Sequence, residues 1–279
     1  MRIRLFAVLA LLPLCAGLHA VDYASTGSTT EQCAQMRVGA EFTKKWKCGL
    51  RLHIGEELRF DLMDNATGIT SKEVAVDTAY GPAFAKSYTT LALGYAPVQY
   101  FKMDAGYTLR ILGRKSWNDY NEFLRHRVFF GVTGSYKMQY AKIYLRERAV
   151  LDMRTDSVNL DEKNRYNWLL RSRLGADFYV QGQPLTPYLW VELENTLNAP
   201  EYQQKDGHQY ISRVRSQAGL KWRISRMSSL NFYYRFTYGY DRHININKNY
   251  YIKGNPIKIR LDEATLFQHV IGVSYDLNW

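Results

Sequence analysis

One pattern constrains this chain more than any other. From Cys33 onward apolar residues recur at every second position, segment after segment, and helical spacing is absent. In "SLNFYYRFTYGYD", Leu230, Phe232, Tyr234, Phe236, Tyr238 and Tyr240 share one face. Asn231, Tyr233, Arg235, Thr237, Gly239 and Asp241 share the other. "LRHRVFFGVTGSY" sets Leu124, Val128, Phe130, Val132 and Tyr136 against Arg125, Arg127, Gly131, Thr133 and Ser135. The last segment puts Ile271, Val273, Tyr275, Leu277 and Trp279 opposite Gly272, Ser274, Asp276 and Asn278. Side chains alternate across a strand, so each run is a strand with one apolar face and one polar face. About six apolar positions at period two match the height of a lipid-facing band with Tyr and Trp at its edges.

Eleven such segments follow one another: 36–45, 48–62, 86–96, 99–112, 122–137, 140–154, 166–181, 186–198, 209–223, 228–242 and 265–279. Short connections such as "APVQ", "GQPL" and "SRMS" alternate with long polar ones, expected as loops at 63–85, 113–121, 155–165, 199–208 and 242–264. Short turns at one rim and long loops at the other are how an outer-membrane barrel is strung. A sandwich would bury its apolar face in a core and needs no such asymmetry. The expected fold is therefore all-β: an antiparallel, transmembrane, up-and-down β-barrel of 12 strands, within a range of 10–12. An even number returns both ends to one side, and a twelfth strand has candidates at 22–32 and 72–80. If 36–45 does not span, ten remain.

Composition agrees with this. Tyr 22, Phe 12 and Trp 6 against Pro 7 favour strands, and a mean hydropathy of −0.37 excludes a helical membrane protein but not a half-apolar barrel. Arg2 and Arg4 precede the apolar run "LFAVLALLPLCAGL", which ends at "LHA". That is a secretory signal peptide over 1–20, leaving one barrel domain over 21–279 and discarding Cys15. Export makes nucleic acid an unsuitable partner despite a net charge of +11. The expected surroundings are outer-membrane lipid and lipopolysaccharide, with small anionic solutes or another envelope protein as further partners, and the expected location is the cell outer membrane.

On a barrel reading the charged face is the lumen. Arg125/Arg127, Arg146/Arg148, Arg171/Arg173, Glu192/Glu194 and Arg213/Arg215 lie on consecutive strands, with Arg235 on the next. Strands stand under about 5 Å apart, so these side chains form a belt. Arg37, Glu41, Glu57, Arg59, Asp61, Lys102, Asp104, Arg110, Asp177 and Lys221 add charge to the same surface, and cations outnumber anions. The excess is expected in the Arg strands. Two readings follow, and they can coexist. A salt-bridge network fills a narrow barrel as a plugged structural element, or an electropositive constriction makes a narrow or gated anion-preferring channel.

The segments "SYTTLALGYAPVQYFKMDAGY", "HRVFFGVTGSYKMQYAKIYLRERAVL", "LLRSRL", "TPYLWVELENTLN" and "LNFYYRFTYGYD" together resemble the Bacteroidota outer-membrane barrels grouped as domain of unknown function 2490. The resemblance lies in their order and spacing and covers most of the chain. It implies an integral outer-membrane barrel and no activity, so it supplies no catalytic residue.

Other chemistry has little support in the sequence. A lipid-hydrolase barrel would need a Ser and a His together on the outer wall. His126 and Ser172 face outward but two strands apart, roughly 10 Å, and His269 has no evident nucleophile. No nucleophile elbow, metal-ligand spacing or cofactor motif is found, so no catalytic residue, metal or cofactor is expected. Glu56 and Glu147 fall on the lipid side under strict alternation, and a bulge turning each inward is the expected account. Cys33 and Cys48 are expected to stay unbonded. A turn near Lys45 leaves them about ten residues out of register, roughly 30 Å, and a disulfide needs Cα atoms within about 7 Å.

Overall fold

The computed structural model describes residues 24–69, 75–113, 124–154, 166–199, 210–245 and 260–279. The signal peptide expected at 1–20 lies outside them. Every described element is a strand. In chain order they are β1 (Ala24–Lys45), β2 (Leu50–Ile69), β3 (Ala75–Tyr80), β4 (Ala83–Val98), β5 (Phe101–Leu112) and β6 (Leu124–Lys137). Then come β7 (Ala141–Arg154), β8 (Tyr166–Phe178), β9 (Leu185–Thr196), β10 (Tyr210–Arg223), β11 (Ser228–Asn245) and β12 (Arg260–Asn278).

Neighbours in sequence pair antiparallel from β4 to β12, and β2 pairs with both β3 and β4. β3 opposes the upper end of β2 (Asp64 with Tyr80) and β4 the rest (Asp61 with Ala83), so the two share one stave broken at Gly81 and Pro82. Twelve strands thus make eleven staves, inside the expected range. β1 closes the ring. It runs antiparallel to β2 and parallel to β12, with Ala34 opposite His269 and Val38 opposite Val273. The parallel pair is what an odd number of staves requires, because first and last then point the same way. The seam continues to the C-terminus, where Trp279 N donates to Thr43 O at 2.7 Å and Lys45 N donates to Trp279 O at 2.8 Å.

Turns at 46–49, 99–100, 138–140, 179–184 and 224–227 form the short rim. Gly49 and Gly182 take φ of +88° and +74° there, a region that favours glycine. The opposite rim carries the long connections. Parts of two expected loops are strand: β2 continues through Ile69, β3 occupies 75–80 and β4 begins at 83, and β11 and β12 extend through 242–245 and 260–264. The ladders rise past the apolar band, and hydrogen bonding needs no apolar residue to continue them. The rest of the long loops, 70–74, 114–123, 155–165, 200–209 and 246–259, lies outside the described residues.

The two faces separate as the alternation requires. Outward-pointing Leu91 (52% exposed), Leu93 (56%), Leu174 (58%) and Ile271 (65%) belong to a band that runs round the wall. Trp46, Tyr100, Tyr136, Tyr140, Trp222 and Trp279 ring it at the short rim, and Phe84, Tyr166, Trp168 and Tyr238 stand toward the long one. A water-soluble surface rarely exposes so extended an apolar area, and a lipid-facing wall does.

Inside, aromatic rings are packed by a repeated device. Phe129 lies opposite Gly106, Tyr144 opposite Gly175, Tyr188 opposite Gly219 and Tyr233 opposite Gly272. Each ring folds flat over its glycine, so that a Cβ added there would run into it. Tyr188 and Tyr233 join Trp190 and Val270 in one buried cluster, and Phe129 joins Ala92, Val150 and Leu169 in another.

Both described cysteines are free, with Cys33 buried on β1 and Cys48 exposed in the 46–49 turn. In the folded, detergent-solubilised chain a maleimide should modify Cys48 and reach Cys33 only on unfolding. A Cys33–Cys48 cross-link in non-reduced mass spectra would be incompatible with β1 as a full stave.

A candidate functional site in the lumen

The antiparallel register lays the inward charges in straight rows. Arg148, Arg171, Glu194 and Arg213 stand opposite one another across β7 to β10, and Arg146, Arg173, Glu192 and Arg215 form the next row. Like charges directly opposite repel, so the glutamates are the keystones. Glu192 is 2% exposed and meets Arg173 at 2.6 Å and Arg146 at 3.0 Å through Oε2, and Arg215 at 2.9 Å through Oε1. Glu194 meets Arg171 at 2.7 Å and Arg215 at 2.9 Å, with Arg213 at 3.9 Å and half exposed. Arg215 therefore bridges the two carboxylates. These are charge-assisted contacts, which are stronger than neutral hydrogen bonds.

The other arginines find acid by different routes. Arg148 passes over Gly131 to Asp104 at 2.6 Å, and a Cβ on Gly131 would press on both partners. Arg127 pairs with Asp152 at 2.7 Å. Arg59 meets Glu57 at 2.6 Å, with Arg37 at 3.9 Å. Among the described residues Arg235 has no carboxylate within 4.0 Å. It donates to Gln217 Oε1 at 2.7 Å, and Gln217 donates in turn to the Tyr188 hydroxyl at 2.6 Å. Aromatic faces take much of the remaining cationic surface, with Arg173 at 3.7 Å from the Trp190 ring, Arg59 at 3.8 Å from Tyr88 and Arg148 at 4.2 Å from Phe129.

The lumen is thereby divided. A chamber of about 370 Å³ lies toward the long rim, and cavities of about 260 and 300 Å³ lie toward the short rim. Arg173 lines all three, Arg235 lines the chamber and one lower cavity, and Arg59, Arg171 and Tyr88 line the chamber and the other. These side chains are the waist between the compartments. Above it the lining is strongly cationic: Lys86 and Arg37, Arg59, Arg110, Arg125, Arg127, Arg154, Arg171, Arg173, Arg213, Arg215 and Arg235 face Glu31, Asp152, Glu192, Glu194 and Asp241. Below it, Glu41, Glu57 and Asp276 weigh against Lys221 and the waist arginines in the smaller cavity.

Each belt residue read from the sequence, Arg125, Arg127, Arg146, Arg148, Arg171, Arg173, Glu192, Glu194, Arg213, Arg215 and Arg235, sits on the lumen wall, and all but Arg146 and Arg148 line the chamber. The charge distribution differs from the expectation. Arg strands β8 and β10 are met by Glu192 and Glu194, and among the described residues Lys86 on β4 and Arg110 on β5 are cations with no carboxylate within 4.0 Å. Lys86, Asp152 and Arg154 are not singled out by the alternation. They stand near the upper strand ends, where the sequence leaves the strand boundaries open. The aromatic shelves are also missed, although the inward glycine opposite each ring is their signal.

Two expectations about the outer wall are corrected. Glu56 and Glu147 are not turned inward, because the ladders run without a bulge past both. Each carboxylate instead accepts from the hydroxyl directly opposite: Thr89 Oγ1 donates to Glu56 at 2.5 Å and Ser172 Oγ to Glu147 at 2.6 Å. Ser172 is thus paired with Glu147, His126 with the Tyr107 hydroxyl and His269 with that of Tyr234. The wall does not bring Ser172 and His126 together.

With this geometry in place, residues 40–248 match the family described as Protein of unknown function (DUF2490). The chain belongs to that family. The match runs from within β1 to just past β11, so the DUF2490 region holds all of the central Arg–Glu rows and most of the wall. No curated protein matches the chain.

Proposed function

We propose that this DUF2490 chain is an integral outer-membrane barrel, closed at its waist at rest, whose upper chamber gathers small anions. The observation that carries the reading is Glu192: almost wholly buried, with three guanidinium groups converging on it in the layer that separates the cavities. A layer tied this closely blocks water-filled passage, and the cation excess in the chamber lining above it attracts anions electrostatically. The apolar band would face lipid, with lipopolysaccharide around the long rim. The reading includes no catalytic centre and no cofactor.

Planar-bilayer recording tests it. The purified wild-type barrel should be silent or show only rare, small steps of anion preference. Arg171→Ala and Arg213→Ala, which thin the positive lining, should reduce any such steps. Steady, large, unselective current in the wild type would refute the closed waist. The cation excess of the chamber supports a second reading, a gated anion channel. Frequent anion-selective openings that fall in both variants would favour it.

A further inference from the structure

We propose that the β4–β7 quarter of the chamber is a specific site for a phosphate-type oxyanion carrying more than one negative charge, with Lys86 and Arg110 as its principal ligands. This deepens the reading of the chamber as an anion-gathering space. The register sets Arg59 opposite Lys86 and Arg110 opposite Arg125, with Arg125 opposite Arg154. Like charges set opposite one another on facing strands repel, and an anion held between them relieves that repulsion.

Among the described residues no carboxylate stands within 4.0 Å of the Lys86 or Arg110 side-chain nitrogens. Asp152, on the same quarter, is engaged through Oδ2 by Arg127 at 2.7 Å, and its Oδ1 has no hydrogen-bond partner among the described residues. Arg110 Nε is buried with no hydrogen-bond partner among the described residues, and the guanidinium lies 5.6 Å from the Tyr88 ring, which Arg59 covers at 3.8 Å. Partly buried cations left this way call for a negative group that accepts several donors at once. A phosphate does so: its oxygens take forked guanidinium bonds and a lysine point charge together. At about 370 Å³ the chamber has room for a phosphate ester as well as the free ion.

Calorimetric titration of the full chain in detergent, at fixed ionic strength, tests the site with inorganic phosphate, pyrophosphate, a hexose monophosphate and chloride. At least one phosphate compound should bind saturably, at least about tenfold more tightly than chloride, and raise the melting midpoint. Preference for the hexose phosphate would mark an esterified ligand, and preference for phosphate or pyrophosphate a free one. Lys86→Ala and Arg110→Ala should each weaken binding about tenfold or more. Lys86→Arg should keep most of it. Because both alanine variants remove a repelled cation, their ligand-free midpoints should equal or exceed that of the wild type, so lost binding cannot be lost folding. Chloride matching the phosphates, or alanine variants binding like wild type, would overturn the site. The closed waist would stand or fall separately, on the bilayer currents.

Discussion

Glu192→Ala should strip the barrel of much of its heat resistance. The substitution leaves Arg146 and Arg173 without their carboxylate and Arg215 with Glu194 alone. Removing one partner of a buried ion pair costs about 3–5 kcal/mol, because the remaining charge stays desolvated and unpaired. In a chain of this size that corresponds to a drop of roughly 6–20 °C in the unfolding midpoint. Heat-dependent mobility in detergent gels would follow it, the folded barrel migrating apart from the unfolded chain. Glu192→Gln, which keeps the shape and an acceptor oxygen, should fall between the two. The same alanine variant should conduct anions where the wild type is silent, since the waist has lost its central tie. A midpoint within a degree or two of wild type would remove Glu192 from the keystone role.

Gly272→Val should be nearly as damaging for a different reason. Tyr233 lies across Gly272, and any side chain there meets its ring and hydroxyl. Overpacking of a filled interior costs about 1–3 kcal/mol. Here the displaced ring would also be pushed against Arg235, whose guanidinium stands 5.3 Å from it. Gly134→Ala supplies the control, because no atom of the described residues lies within 4 Å of a Cβ at that position. Combining Gly272→Val with Tyr233→Ala should recover part of the loss, which a general weakening of β12 would not allow. Equal midpoints for the Gly272 and Gly134 variants would show that the ring–glycine contact is not tight.

The wall was legible in the sequence because a strand's alternation is strict: Val128, Phe130, Phe232 and Ile271 face outward as read, and Arg127, Thr237 and Ser274 face inward. The length of β1 was not legible. Its first half, "ASTGSTTEQCAQ", has no apolar face and becomes strand because β2 and β12 offer hydrogen-bonding edges on both sides. That is a tertiary cause, invisible to local pattern. The belt itself could be read from facing and strand order, but the choice of partners could not. Arg146 reaches Glu192 across an intervening strand, and Arg148 reaches Asp104 only because position 131 has no side chain. Glu56 and Glu147 were placed correctly by alternation. The bulge invoked to move them proved unnecessary, since each has a hydroxyl opposite.

The seam between β1 and β12 also governs how the molecule can assemble. Among the described strands every other ladder joins neighbours along the chain, with β3 and β4 taken as one stave, so each can form early. The seam joins residues such as Thr29 and Glu263, 234 positions apart. Contacts of that separation carry the largest loop-closure entropy, and a topology that depends on them folds slowly. Because β1 can pair early with β2, the event that waits is the arrival of β12, and the ring stays an open sheet with two exposed edges until then. Closure and the locking of Trp279 onto β1 are therefore a single late step. Changes confined to the seam should alter the rate of ring completion far more than the rate at which the hairpins form.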